Sequence, residues 1–78
     1  MFEDPAGRCV GYKQTKRALE ENKAKLVYLA NDCDKKIKRE IVNICSFRKV
    51  KVCTDYSKQK LGELCEIDVD ASLVCILK

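Results

Sequence analysis

The sequence predicts an α/β fold: a three-layer α/β/α sandwich on a small mixed, mostly parallel four-stranded sheet. Three observations lead there. Apolar stretches with β-branched and aromatic residues alternate along the chain with stretches of helical spacing. The connections between them are long enough for crossover helices, which run strands parallel and cover both faces of a sheet. The last stretch, Ala71-Ser72-Leu73-Val74-Cys75-Ile76-Leu77, is apolar almost throughout, as a strand buried on both faces must be.

Residues 4–8 make a short start, where Asp4 can cap and Pro5 suits a first helical position. Arg8-Cys9-Val10 is a brief extended piece. Gly11 opens a helix reaching about Asn22, with Ala18 and Leu19 inward and Lys16, Glu20 and Glu21 outward. Residues 25–30 form a continuous apolar strand. The turn Asn31-Asp32-Cys33-Asp34 ends on a residue able to cap the next helix, which runs to about Phe47 with Ile37, Ile41, Ile44 and Cys45 on one face. Residues 50–54 are a second short strand. Ser57 caps a third helix with Leu61 and Leu64 inward. Residues 66–70 are a loop before the final strand. No repeat or linker interrupts the chain, so residues 1–78 are expected to form one domain.

Composition narrows the function classes. With 78 residues, 46% of them apolar, the chain can build one modest core. It has no His, which excludes Ser-His-Asp triads, Cys-His dyads and His-bearing metal sites. No segment approaches the ~20 apolar residues of a membrane span. The start Met-Phe-Glu-Asp lacks the basic and apolar regions of a signal peptide, so a reducing cytosol is expected. The Cys at 9, 33, 45, 53, 65 and 75 are never closer than eight residues, which argues against a zinc site or a thioredoxin-type pair. Cys45, Cys53, Cys65 and Cys75 lie in apolar runs and read as small buried hydrophobes. No cofactor or metal is expected. Cys33 is the candidate nucleophile, but Asp32 and Asp34 beside it raise a thiol pKa and no His can act as base. The chain is not expected to be an enzyme.

Charge is uneven. Residues 8–17 carry Arg8, Lys13, Lys16 and Arg17 and no acid, whereas residues 63–70 carry Glu63, Glu66, Asp68 and Asp70 and no base. The whole net charge of +4 belongs to the first half of the chain. A polyanion would be drawn to the start of the first long helix, where basic side chains and free backbone N–H groups coincide. Lys35, Lys36, Lys38 and Arg39 open the second helix against its dipole, either as plain solvated surface or as a mark of function.

Four short motifs follow in order: Gly11-Tyr12-Lys13-Gln14-Thr15-Lys16-Arg17-Ala18-Leu19, then residues 25–34, then Ser57-Lys58-Gln59-Lys60-Leu61-Gly62-Glu63-Leu64-Cys65, then Ile67-Asp68-Val69. The series resembles the kink-turn RNA-binding ribosomal protein family, of the L-seven-Ae and L-thirty-e type, and most of all its small bacterial members. The resemblance implies that Gly11, Lys13, Gln14 and Arg17, with Lys16 among them, meet the major groove at tandem sheared G·A pairs. Lys and Arg can donate to guanine O6 and N7, and Gln can donate and accept at a base edge. An A-form duplex does not admit a helix there, so the ligand is a distorted RNA. By the same resemblance, Asp34 and Lys58 attend a flipped-out nucleotide, and Ile67, Asp68 and Val69 pack beneath it. It also implies that the N-terminal helix usual in this fold is reduced to a turn.

The expected function is therefore non-catalytic binding of structured RNA containing a kink-turn (ribosomal RNA, a riboswitch or another), stabilising the bent form. The expected chain is a monomer, with the ribosome among its settings and no membrane partner. Lys35 stands where the family usually has Pro, and Glu66 and Asp70 flank the Ile-Asp-Val loop where small residues are usual. Their carboxylates would oppose phosphate. They motivate the alternative, a protein–protein module on the same fold with RNA binding weakened or lost.

Overall fold

The computed structural model describes residues 7–78, so the expected start at Asp4 and Pro5 lies outside the described residues. The order is β1 (Arg8–Val10), α1 (Tyr12–Glu20), β2 (Ala24–Leu29), α2 (Lys35–Arg48), β3 (Lys51–Cys53), α3 (Lys58–Leu64) and β4 (Leu73–Leu77). Local chemistry sets the helix starts. The Asp34 carboxylate accepts from the Lys36 N–H at 2.7 Å, and the Ser57 hydroxyl accepts from the Lys60 N–H at 3.2 Å. Lys49 ends α2 in the left-handed conformation at φ 59°.

The four strands form one mixed sheet in the order β1-β4-β2-β3. The expectation of a mostly parallel sheet needs correction at the level of pairing. β2 and β3 pair parallel, but β1 with β4 and β2 with β4 pair antiparallel. Both β1 and β2 oppose β4, so three strands do point the same way. The fourth is inserted between β1 and β2 and turns two of the three pairings antiparallel. Only β4 and β2 are interior, and the edges are strands of three residues each, short enough to offer little template for foreign strands.

Two core layers lie on the two sheet faces. On one, Val27, Leu29, Leu73 and Cys75 meet Ala18 and Leu19 of α1 and Ile41 and Cys45 of α2. On the other, Tyr28, Ala30 and Val74 meet Leu61 and Cys65 beside α3. The alternation Leu73/Val74/Cys75 thus feeds both faces, which is why β4 is apolar throughout. Leu19, Leu29, Ile41, Leu61 and Leu73 are fully buried, each contributing about 1.5–3 kcal/mol relative to exposure.

All six cysteines are free thiols, with Cys45, Cys65 and Cys75 buried. Cys53 departs from expectation: it is half-buried, because β3 is an edge strand, and its Sγ lies 3.5 Å from Asp55 Oδ2. Burial pushes the Cys45 thiol up to about 11 and the Cys75 thiol up to about 12. A raised thiol pKa stabilises the fold below the unfolded value of about 8.5 and is lost as pH rises toward the folded value. Stability is therefore expected to fall across the window from about 8.5 to about 12. A thiol reagent at neutral pH is expected to modify Cys9, Cys33 and Cys53 well before Cys45, Cys65 and Cys75. Equal labelling rates in the native protein would contradict this packing.

Candidate nucleic-acid interface

Because β1, β2 and β3 run one way and β4 the other, the C-terminal ends of the first three and the N-terminal end of β4 share one end of the sheet. Gly11, the turn at 31–34, the start of α3 and the loop at 65–72 all emerge there. Main-chain bonds stitch them together. Gly11 donates to the Leu73 carbonyl, Ala30 to Ser72 and Asn31 to Tyr56, each at 2.9 Å. The Lys58 N–H donates to the Asp32 carboxylate at 2.9 Å, and the Lys58 carbonyl accepts from the Ala71 N–H at 3.1 Å. The rim is thus held by the sheet that carries it.

Gly11 has φ 109° and ψ 163°, a region open to glycine and little else. A Cβ there would meet nothing within 4 Å, so the requirement is conformational rather than spatial. Helix α1 starts with no side-chain cap and no acid in its first turn. Its first N–H groups stay open to an anion.

Lys13, Gln14 and Arg17 lie on one exposed stripe of α1. Lys13 makes no ion pair with the described residues. Arg17 Nε donates to Glu21 Oε2 at 2.8 Å, and Lys23 Nζ sits 3.0 Å from Glu21 Oε1. The Arg17 hydrogen bond, with Lys23 beside it, holds the Glu21 carboxyl below the usual range and raises the guanidinium.

Two of the four basic residues counted in 8–17 point elsewhere. Arg8 Nη2 donates to the Cys65 carbonyl at 2.7 Å, tying β1 to the end of α3. Lys16, expected outward, is half-buried against α2: its ammonium pairs with Glu40 Oε1 at 3.2 Å and stands 5.8 Å from the Tyr12 ring. Tyr12 Oη donates to the same Glu40 oxygen. These donors, Tyr12 first and then Lys16, hold the Glu40 carboxyl below its ordinary range. Helix packing, which charge counting does not see, takes Lys16 out of the stripe.

Asp34 is exposed and occupied in capping α2. Lys58 opens α3, with its main chain tied on both sides. In the loop, Ile67 packs partly on the α3-side core, Asp68 is exposed, and Val69 is 68% exposed. Glu66 adopts φ 59°, a conformation that favours glycine. The structure thus brings Gly11, Lys13, Gln14, Asp34, Lys58, Ile67, Asp68 and Val69 to one end of the molecule. Arg17 is one turn farther along α1.

Two positioning residues escaped the sequence reading. Asp32 links the turn to α3 across 26 positions, and no local signal marks that pairing. Gly62 lies inside α3 with the Val69 carbonyl only 2.3 Å from where a Cβ would stand. A glycine amid helix formers was the available clue. Burial is the main cause raising the Cys33 thiol, with Asp32 and Asp34 adding to it. Among the described residues, no cluster of three or more side chains could hold a metal, and no helix is long and apolar enough to cross a membrane.

A family model of the ribosomal protein L7Ae/L30e/S12e/Gadd45 family matches residues 3–78, and the chain belongs to that family. An RNA-binding protein of Geobacillus kaustophilus is 42% identical over 74 residues, covering 94% of this chain and 90% of its own. The RNA-binding protein YbxF of Geobacillus stearothermophilus is 40% identical with the same coverage. Among solved structures, a Bacillus halodurans protein of unknown function matches with a TM-score of 0.88 at 18% identity, covering 94% of this chain and 73% of that one. The Giardia lamblia 15.5kD RNA binding protein matches with a TM-score of 0.86 at 26% identity, over 94% of this chain and 62% of that one.

Proposed function

We propose that this chain is a non-catalytic cytoplasmic RNA-binding protein that recognises kink-turn RNA at its tandem sheared G·A pairs and stabilises the bent form. One observation carries the reading. A glycine-opened, acid-free helix start presents Lys13, Gln14 and Arg17 on one exposed stripe, above a rim stitched from four chain segments. The relatives named as RNA-binding proteins support it.

The chemistry follows from the side chains. Lys13 and Arg17 donate to guanine O6 and N7, and Gln14 bridges a neighbouring edge. Arg17 exchanges its exposed Glu21 partner for the base, a small loss at a solvated site. Exposed Val69 and half-buried Ile67 cover the face of an unstacked base, which no A-form duplex would offer. Because the protein binds the bent state better, it shifts the population toward it.

Calorimetric titration against a kink-turn RNA tests this. Binding is expected to weaken linearly in log salt. Replacing the sheared pairs by Watson–Crick pairs is expected to cost about 2–4 kcal/mol, or roughly 30- to 1000-fold. Equal affinity for both RNAs would sink the specific claim. The exposed acids Glu66, Asp68 and Asp70 on the rim favour a second reading, a protein-binding module. Absence of binding to either RNA would move the conclusion there.

A further inference from the structure

The outer face of α2 lies outside the rim, and its charge is stronger. Residues 35–49 hold Lys35, Lys36, Lys38, Arg39, Arg48 and Lys49 and one acid, Glu40. All six cations are exposed, and none makes an ion pair with the described residues. Glu40 is turned toward α1, where Lys16 pairs with its charge and the Tyr12 hydroxyl donates to it. The first turn of α2 contains no acid, so Lys35, Lys36 and Lys38 stand at the positive end of the helix dipole. The Asp34 cap offsets part of this unfavourable placement, and a polyanion would offset the rest.

A second, independent feature lies at the other end. Phe47 is 81% exposed, with the Arg48 guanidinium 5.8 Å from its ring. Phe47 follows Ser46 at the flank of the outer side, and an aromatic ring left in water beside a cation is the combination that stacks an unpaired base while holding its phosphate. Between the two ends, Lys35, Arg39, Val42, Asn43 and Ser46 recur at helical spacing along the exposed side. A hollow of about 410 Å³ opens beside Lys35, Lys38, Arg39, Val42 and Asn43. Fourteen residues of helix give a track about 21 Å long, room for several nucleotides.

We propose that the outer face of α2 is a second RNA-binding surface that takes single-stranded RNA, its phosphates on the basic track and one base stacked on Phe47. It does not depend on kink-turn recognition. α2 starts at the rim, so a strand leaving that site could continue along it.

The test uses unstructured oligouridine, which has no kink-turn. The parent protein is expected to bind it weakly, with strong salt dependence. Phe47→Ala is expected to lower that affinity about tenfold through lost stacking. The double variant Lys35→Gln with Arg39→Gln is expected to reduce the salt slope by about 1.4, at roughly 0.7 per phosphate contact on a single strand. Its melting temperature should hold or rise, because Lys35 opposes the helix dipole and exposed Arg39 makes no ion pair with the described residues. Both variants should keep the parent's ratio of affinities for kink-turn RNA and its Watson–Crick control, which separates this surface from the rim. Neutralising Lys25 and Lys78, exposed elsewhere, is the charge-matched control. Unchanged oligouridine binding by the Phe47 and α2 variants, or an equal loss in the control, would overturn the proposal.

Discussion

Gly62→Ala is expected to destabilise the fold by about 3 kcal/mol, the upper part of the range for overpacking. Alanine inside a helix is ordinarily worth up to about 1 kcal/mol over glycine, so propensity alone forecasts the opposite sign. The surroundings decide. A Cβ on Gly62 would stand 2.3 Å from the Val69 carbonyl and 3.3 Å from the Asp70 Cα, all of it backbone that no rotamer change can clear. The loop at 66–70 must move off α3. It would strain the Ile67-to-Gly62 main-chain bond of 3.1 Å and lift Ile67 from the core it half covers. In a domain this size the melting temperature would drop by roughly 12–24 °C. RNA affinity would fall with it, because Ile67 and Val69 lose their position. A melting temperature equal to or above the parent's would show that the loop does not pack on α3 as described.

Lys13→Ala combined with Arg17→Ala is expected to abolish measurable kink-turn binding while leaving the melting temperature nearly unchanged. Each guanine contact is worth about 1–3 kcal/mol, so losing both costs on the order of 30- to 10⁴-fold in affinity. Both residues are exposed, and Arg17 gives up only a surface pair with Glu21, so the fold has little to lose. Alanine is also a good helix former. Lys16→Ala is the informative contrast. Its ammonium ties α1 to α2 through Glu40, so its removal is expected to cost a few degrees in melting temperature and little in affinity. Normal RNA binding by the double variant would place the interface elsewhere.

Much of the fold is legible in one dimension because its signals are local. Asp34 and Ser57 cap the helices that follow them, and each cap spans two or three residues. The period of Ile41 and Cys45 marks the buried face of α2, as Ala18 and Leu19 mark that of α1. Thr15 was not legible in the same way. It reads as polar, yet it is fully buried on the same helix as Ala18 and Leu19, and its hydroxyl has no hydrogen-bond partner among the described residues. The stripe of Lys13, Gln14 and Arg17 was legible because i and i+4 share a face. Lys16 was not, since the packing of α1 on α2 assigns it to Glu40.

By itself the sequence determined where each strand and helix lies, most of the apolar residues that line the core, and the family to which the chain belongs. These follow from hydrophobic period, capping chemistry and motif order, all short-range properties of the chain. Tertiary structure alone decided the sheet order and the direction of β4 between β1 and β2. It also decided that Asp32 reaches Lys58 and that Gly62 accommodates Val69. Those contacts join residues far apart in sequence, and only closure of the sheet brings them within hydrogen-bonding or van der Waals range. The same closure divides the positive charge. Arg8 and Lys16 are absorbed into packing, Lys13 remains at the rim with Arg17 one turn along α1, and Lys35, Lys38 and Arg39 stay exposed on the outer side of α2.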